Sequence, residues 1–248
     1  MSSLINLLFL LIAYAESNLD NLLPYGDGID DHFENKVSSE IYHASVVIED
    51  YDLYGDSYLI DVVSYGGIYF EDVHKQNSFD AYLFNAKYDN CNMSGRVVED
   101  AETKNKIYDI IGDEYCNASI TFIATWNRCQ CSETGVPNTF QIVVVVTSNA
   151  YYSVSIYGEI GHNCGSTIAK FYYFYANVQQ EYTIKHFQGG VADWTDLTTH
   201  SNIQRKGMYL IKYDINSYEI SEPGVMPNSG TLCGSIDIDT TDTNQGIL

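Results

Sequence analysis

The run from Thr139 to Thr147, TFQIVVVVT, limits the folds open to this chain more than any other segment. Its β-branched residues lose side-chain freedom in a helix and pack well on a pleated strand. Val143–Val146 show no polar alternation, so this strand is expected to be buried on both faces. The neighbouring segments alternate instead. Ile120, Phe122, Ala124 and Trp126 fall on one strand face, and Tyr152, Val154 and Ile156 alternate with Ser153, Ser155 and Tyr157. Further strands are expected at Ser45–Glu49, Tyr58–Ser64, Ile68–Phe70, Ala169–Tyr175, Tyr182–Phe187 and Met208–Tyr213, with a turn at Gly66-Gly67. One segment has helical spacing. Asp100 is placed to cap a helix whose apolar face is Ile107, Ile110 and Ile111, and Gly112 is placed to stop it. Such a chain is mainly β: two packed, largely antiparallel sheets with one or two short helices.

Composition narrows the partners. The 248 residues contain 33 Asp and Glu against 12 Lys and Arg, a formal net charge of −21. Binding nucleic acid needs clustered positive charge, so that class is excluded. An apolar content of 45%, with Tyr 22, Phe 10 and Trp 2, excludes global disorder. An acidic surface steers basic partners toward it, and Tyr supplies contact area with a polar tip.

Residues 1–15 are read as a signal peptide. Leu4 to Ala13 is almost wholly apolar and Ala13-Tyr14-Ala15 supplies the small residues of a cleavage site before Glu16. The run is too short to span a membrane, which takes about 20 apolar residues. The mature chain is therefore expected to be secreted and extracellular, with no membrane span. In that compartment Cys91, Cys116, Cys129, Cys131, Cys164 and Cys233 form disulfides. Cys129 and Cys131 share a strand face and are expected to bond different segments, one of them Cys164, while Cys91 joins Cys116 across the helical segment. Zinc held by Cys129, Cys131, His162 and Cys164 is the alternative, but the usual C-x2-4-C spacing is missing. Asn92 and Asn117 begin N-x-S sequons and are candidate glycosylation sites.

Several blocks, in order, resemble the nidogen-like (NIDO) extracellular domain of nidogens, tectorins and mucin-4-type proteins. Leu23-Pro24-Tyr25-Gly26 is similar to its opening, and Ser38-Ser39 precedes an apolar strand as it does there. Tyr54-Gly55-Asp56-Ser57-Tyr58 resembles the family's Phe/Tyr-Gly-x-x-Tyr segment, with Gly67 at its Asn-Gly turn. Phe122-Ile123-Ala124-Thr125-Trp126 resembles the central strand ending in Trp, and Asn138-Thr139-Phe140-Gln141 the block that starts the next. Ile156-Tyr157-Gly158-Glu159-Ile160 follows, and Ser201-Asn202 through Gly207 to Asp214 resembles the closing stretch. Two blocks depart from the pattern. Leu83-Phe84-Asn85-Ala86-Lys87-Tyr88-Asp89 lacks the family's Trp and first Asp, and Lys206-Gly207-Met208-Tyr209 lacks its Pro. The resemblance implies a NIDO-like domain over 16–215, followed by a polar acidic tail over 216–248. It also implies a part in cell–matrix adhesion through a matrix or cell-surface protein, one that the charge argument expects to carry a basic patch.

Residue chemistry alone gives some of these positions structural roles. Trp126 needs a partner for its indole N–H. The Gln141 amide is expected to bond neighbouring backbone rather than a ligand. Gly67 and Gly158 suit positive φ or close backbone approach. No H-E-x-x-H, G-x-S-x-G, P-loop or G-x-G-x-x-G is present. His32, His43, His74, His162, His186 and His200 are scattered, so no catalytic, cofactor-binding or metal residue is assigned and the chain is not read as an enzyme. Three acidic groups, Asp27/Asp30/Asp31, Asp50/Asp52/Asp56 and Asp237/Asp239/Asp242, lack EF-hand spacing. They leave a Ca²⁺-dependent or self-associating extracellular module as the alternative function.

Overall fold

The computed structural model describes residues 19–25, 33–37, 43–50, 56–72, 77–83, 88, 90–131, 137–161, 170–175, 178–183, 194–230 and 233. The expected leader, His32, His74, His162, His186 and Cys164 lie outside them.

Strands β1 (Phe33–Val37), β2 (His43–Asp50), β3 (Asp56–Val63), β4 (Gly67–Asp72), β5 (Asn77–Tyr82) and β6 (Asn90–Val97) precede the helix α1 (Ala101–Ile111). A 3-10 turn over Gly112–Asn117 leads into β7 (Ala118–Gln130), β8 (Asn138–Thr147) and β9 (Ala150–Glu159). Then come β10 (Lys170–Tyr175), β11 (Val178–Thr183), the short helix α2 (Trp194–Thr199), β12 (Met208–Asp214) and β13 (Glu219–Ser221). They form a seven-stranded sheet ordered β1-β6-β7-β8-β9-β12-β13 and a six-stranded sheet ordered β11-β10-β5-β4-β3-β2. All neighbouring strands are antiparallel. The chain is thus mainly β, in two packed sheets with two short helices.

The double burial of β8 has a specific cause. Ile142, Val144 and Val146 face the six-stranded sheet, in one core with Ile60, Phe70, Phe79, Phe122 and Trp126. Val143 and Val145 face the other way, against Ile107, Tyr108, Ile110 and Ile111 of α1. The helix is therefore a third layer, laid over the outer face of the larger sheet. Asp100 caps it by accepting the Thr103 N–H, and Gly112 ends it at φ 75°. A Cβ at Gly112 would sit 1.9 Å from the Pro227 carbonyl oxygen, so this glycine also admits the tail.

Hydrogen bonds join the two sheets through their shared core. Trp126 Nε1 donates to the Val63 carbonyl (3.0 Å), Tyr157 Oη to the Leu83 carbonyl (3.0 Å) and Tyr151 Oη to the buried Asp72 carboxylate (2.9 Å). The expected indole partner is thus a backbone oxygen of the opposite sheet.

Cys129 bonds a different segment from its own, as expected, but the expected Cys91–Cys116 bridge does not form. Cys91 bonds Cys129, and Cys116 bonds Cys233. Antiparallel pairing of β6 with β7 sets Asn90 opposite Gln130 and Asn92 opposite Asn127, and the bulge between them brings Cys91 to Cys129. The bridge across the helical segment gives way to the pairing that sheet register sets. Cys131 is also disulfide-bonded, as Cys129 is, so neither keeps a thiol for zinc.

Strand β11 begins at Val178, earlier than the expected Tyr182–Phe187, because it turns directly back on β10 with Tyr175 opposite Val178. Residues beyond 216 are held at more points than Cys233. Strand β13 extends the larger sheet, and the Pro227 carbonyl accepts the Asp113 N–H (2.8 Å). Ser229 in turn donates its N–H to the Asp113 carboxylate (3.0 Å).

Candidate functional site

Among the described residues, Gln141, Asn138, Thr139, Phe140, Ser201, Asn202 and Gly207 make contacts within the fold. Gln141 accepts the Leu23 N–H (2.8 Å) and donates to the Leu23 carbonyl (2.9 Å) and to Thr125 Oγ1 (3.0 Å). Asn138 donates to the Cys129 carbonyl (3.1 Å) and accepts the Gly161 N–H (2.7 Å), while Thr139 Oγ1 accepts the Arg128 N–H (3.1 Å). Together they stitch the bulge that aligns Cys129 with Cys91. Phe140 stacks on Trp126 at 5.1 Å. Ser201 Oγ accepts the Ile203 and Arg205 N–H groups, and Asn202 exchanges two hydrogen bonds with the Leu210 backbone. Gly207, at φ 72°, accepts the Tyr157 N–H through its carbonyl. Gly158 lies inside β9, and the left-handed glycine of the β3–β4 turn is Gly66 rather than Gly67. Gly67 serves close approach, since a Cβ there would meet Val63 at 3.0 Å and the Tyr82 ring at 3.1 Å.

A different surface has the features of a binding site. In the six-stranded sheet Phe79, Ala81, Phe171 and Tyr173 point into the core, so Asp80, Tyr82, Tyr172 and Phe174 point outward. Register places Glu181, Tyr172, Asp80, Tyr69, Asp61 and Ser45 in one row across all six strands of that outer face. Carboxylates and tyrosines thus alternate along it. Over part of this row Tyr65, Asp80, Tyr82, Lys170, Tyr172, Phe174, Gln179 and Glu181 line an open groove of about 590 Å³.

The tyrosines form a fixed framework. The Tyr69 hydroxyl bonds both the Tyr65 hydroxyl (2.5 Å) and the Tyr82 hydroxyl (2.7 Å). Tyr65 stacks on Tyr82 at 6.2 Å, and Tyr172 meets Tyr82 edge-on at 5.8 Å. Burial first, then the Tyr82 hydroxyl and the Asp80 charge, push the Tyr69 phenol up to about 12, against an opposing contribution from the Tyr65 bond. Lys170 is paired with Glu181 at 2.6 Å. Asp80 is half-buried among these rings, makes no hydrogen bond or ion pair among the described residues, and is raised by burial to about 7.

Both candidate glycosylation residues are exposed on the other side of the molecule. Asn92 lies between Cys91 and Met93, which face the inter-sheet core, and Asn117 ends the 3-10 turn after α1. Of the acidic groups, Asp50 and Asp56 stand opposite each other in the β2–β3 register, while Asp27, Asp30, Asp31, Asp52, Asp237, Asp239 and Asp242 lie outside the described residues. No three metal-ligating side chains converge among the described residues.

The groove was not singled out from the sequence. The signal was present in KFYYFY, where aromatic residues occupy both faces of one strand and one face must meet solvent. What the fold and groove define is a disulfide-bonded, two-sheet β domain with an aromatic and acidic outer face. No family model, curated protein or solved structure matches the chain.

Proposed function

We propose that the chain is a secreted extracellular binding module of nidogen-like type, acting in cell–matrix adhesion through a partner with a basic patch and turning over no substrate. The observation that carries this reading is the tyrosine and carboxylate row on the outer face of the six-stranded sheet. It is presented on a two-sheet scaffold in which the buried Gln141 and Asn138 amides are committed to internal bonds. Tyrosines offer contact area at low entropic cost, and the surrounding carboxylates favour a basic surface. Glycans at Asn92 and Asn117 leave that face uncovered.

The test is binding of the secreted chain to extracellular-matrix films and to intact cells, with association rates followed as salt is raised. Saturable binding whose association slows with salt is expected, because screening removes long-range steering first. Absence of binding by well-folded protein, or tight salt-insensitive binding to heparin, contradicts the reading. Amino-terminal sequencing of the same material should begin at Glu16.

A further inference from the structure

We propose that the groove lined by Tyr65, Tyr82, Tyr172 and Phe174 receives an arginine side chain of a basic partner, with Asp80 as its counter-charge. The inference rests on the binding-module reading and names the site and chemistry of that binding.

Charge complementarity carries the argument. The described charged side chains of this face are Asp61, Glu71, Asp80, Glu181 and Lys170, and the one cation among them is already held by Glu181. Asp80 is thus left as a half-buried carboxylate without a partner among the described residues. Burial raises its protonation range, and no cation among the described residues offsets that cost. Every second residue of the row is acidic, and adjacent strands stand about 4.8 Å apart, so successive carboxylates are roughly 10 Å apart with a tyrosine between. A cation near any one carboxylate therefore meets an aromatic ring as well.

Ring geometry selects the kind of cation. The Tyr69 hydroxyl bonds those of Tyr65 and Tyr82, which fixes the ring planes and leaves the faces and edges of Tyr65 and Tyr82 as the recognition surface. Aromatic faces attract a cation placed within about 6 Å. A divalent metal needs several converging oxygens, and no three metal-ligating side chains converge among the described residues. A guanidinium suits it better than an ammonium, because it stacks flat on tyrosine while donating in its own plane to a carboxylate. A groove of about 590 Å³ accommodates one such side chain with its flanking backbone.

The test measures binding of the secreted chain to an acetylated, amidated Gly-Arg repeat peptide, to the same peptide with citrulline for arginine, and to neutral oligosaccharides. Asp80→Asn keeps the side-chain shape and removes the charge. Glu102→Gln removes one exposed charge from α1, on the opposite side of the molecule. Arginine peptide should bind at least about tenfold more tightly than citrulline peptide, and Asp80→Asn should lose about tenfold while Glu102→Gln changes affinity by less than about twofold. Tyr172→Phe should bind as the parent does, and Tyr172→Leu should not. Equal loss in Asp80→Asn and Glu102→Gln would reduce the effect to net charge and overturn the proposal. So would equal binding of the two peptides, or oligosaccharide binding that ignores Asp80. Matrix binding that survives Asp80→Asn overturns the groove assignment while leaving the module reading intact. Arginine-peptide binding that depends on Asp80, in a chain that binds neither matrix nor cells, supports the groove and defeats the adhesion reading.

Discussion

Gln141, in the middle layer of the fold, holds Leu23 across 118 positions of sequence by bonding both its N–H and its carbonyl. The two contacts mimic one rung of a β-ladder and anchor the amino-terminal segment over the β7–β8 surface. Replacing Gln141 with Leu removes both bonds and strands two backbone groups of a buried residue. The expected loss is about 2–4 kcal/mol in urea unfolding, with early proteolysis near Leu23. Unchanged stability would show that the clamp adds nothing.

Arg96 binds three parts of the helix layer. Its guanidinium donates to the Asp100 carboxylate (2.8 Å), Thr103 Oγ1 (2.9 Å) and the Pro24 carbonyl (3.3 Å). Burial alone would raise the Asp100 carboxyl, but the Thr103 N–H, Arg96 and the Thr103 hydroxyl outweigh it and hold it at about 2. The folded value lies below the unfolded one, so the contribution is present above about pH 4 and is lost as pH falls toward 2. Asp100 is half-exposed, which limits the effect to about 1 kcal/mol. Asp100→Asn should flatten that acid limb of the stability curve without changing stability at very low pH.

Asp80 behaves in the opposite sense. Its folded value, about 7, lies above the unfolded one, so its contribution to stability is greatest below about pH 4 and is lost as pH rises through 7. The groups facing it are Tyr65, Tyr69, Tyr82, Tyr172, Lys170, Glu181 and Asp61. Asp80→Asn should be more stable than the parent at pH 8 by about 1–2 kcal/mol, less than the full displacement implies because water screens the groove mouth. Arginine binding should weaken in the parent as pH drops below 7, where the carboxyl takes up its proton. A variant less stable than the parent at pH 8 would count against this assignment.

The Cys116–Cys233 bridge spans a sequence separation of 117 residues and fixes the tail near the end of α1. Its removal as a double Ser variant should cost about 3–5 kcal/mol, with the chain-entropy model at the upper end. Peptide mapping without reductant should recover 91–129 and 116–233 linkages. A 91–116 linkage would contradict the β6–β7 register.

Much of this architecture was legible from residue pattern. Val143–Val146 announced a strand covered on both sides, the alternation from Ile120 to Trp126 gave the core face of β7, and Asp100 and Gly112 bounded α1. Strands β5 and β6 escaped notice because NSFDAY and NCNMSGRV alternate apolar with polar or small residues that carry weak strand preference. The disulfides escaped for a different reason. Cys91 meets Cys129 through a bulged register, a property of two paired strands and not of either alone. The groove was hidden by its own richness: Phe171 and Tyr173 look like Tyr172 and Phe174 until the sheet decides which pair faces water.

The most direct test of the central claim is hydrogen exchange on the secreted chain, free and bound to extracellular matrix. The outer face of the six-stranded sheet should be where the partner sits, so exchange is predicted to slow in peptides covering β4, β5 and β10 and to stay unchanged across α1. Protection over α1 with none in β4, β5 and β10 would place the partner on the opposite side of the molecule and contradict the account.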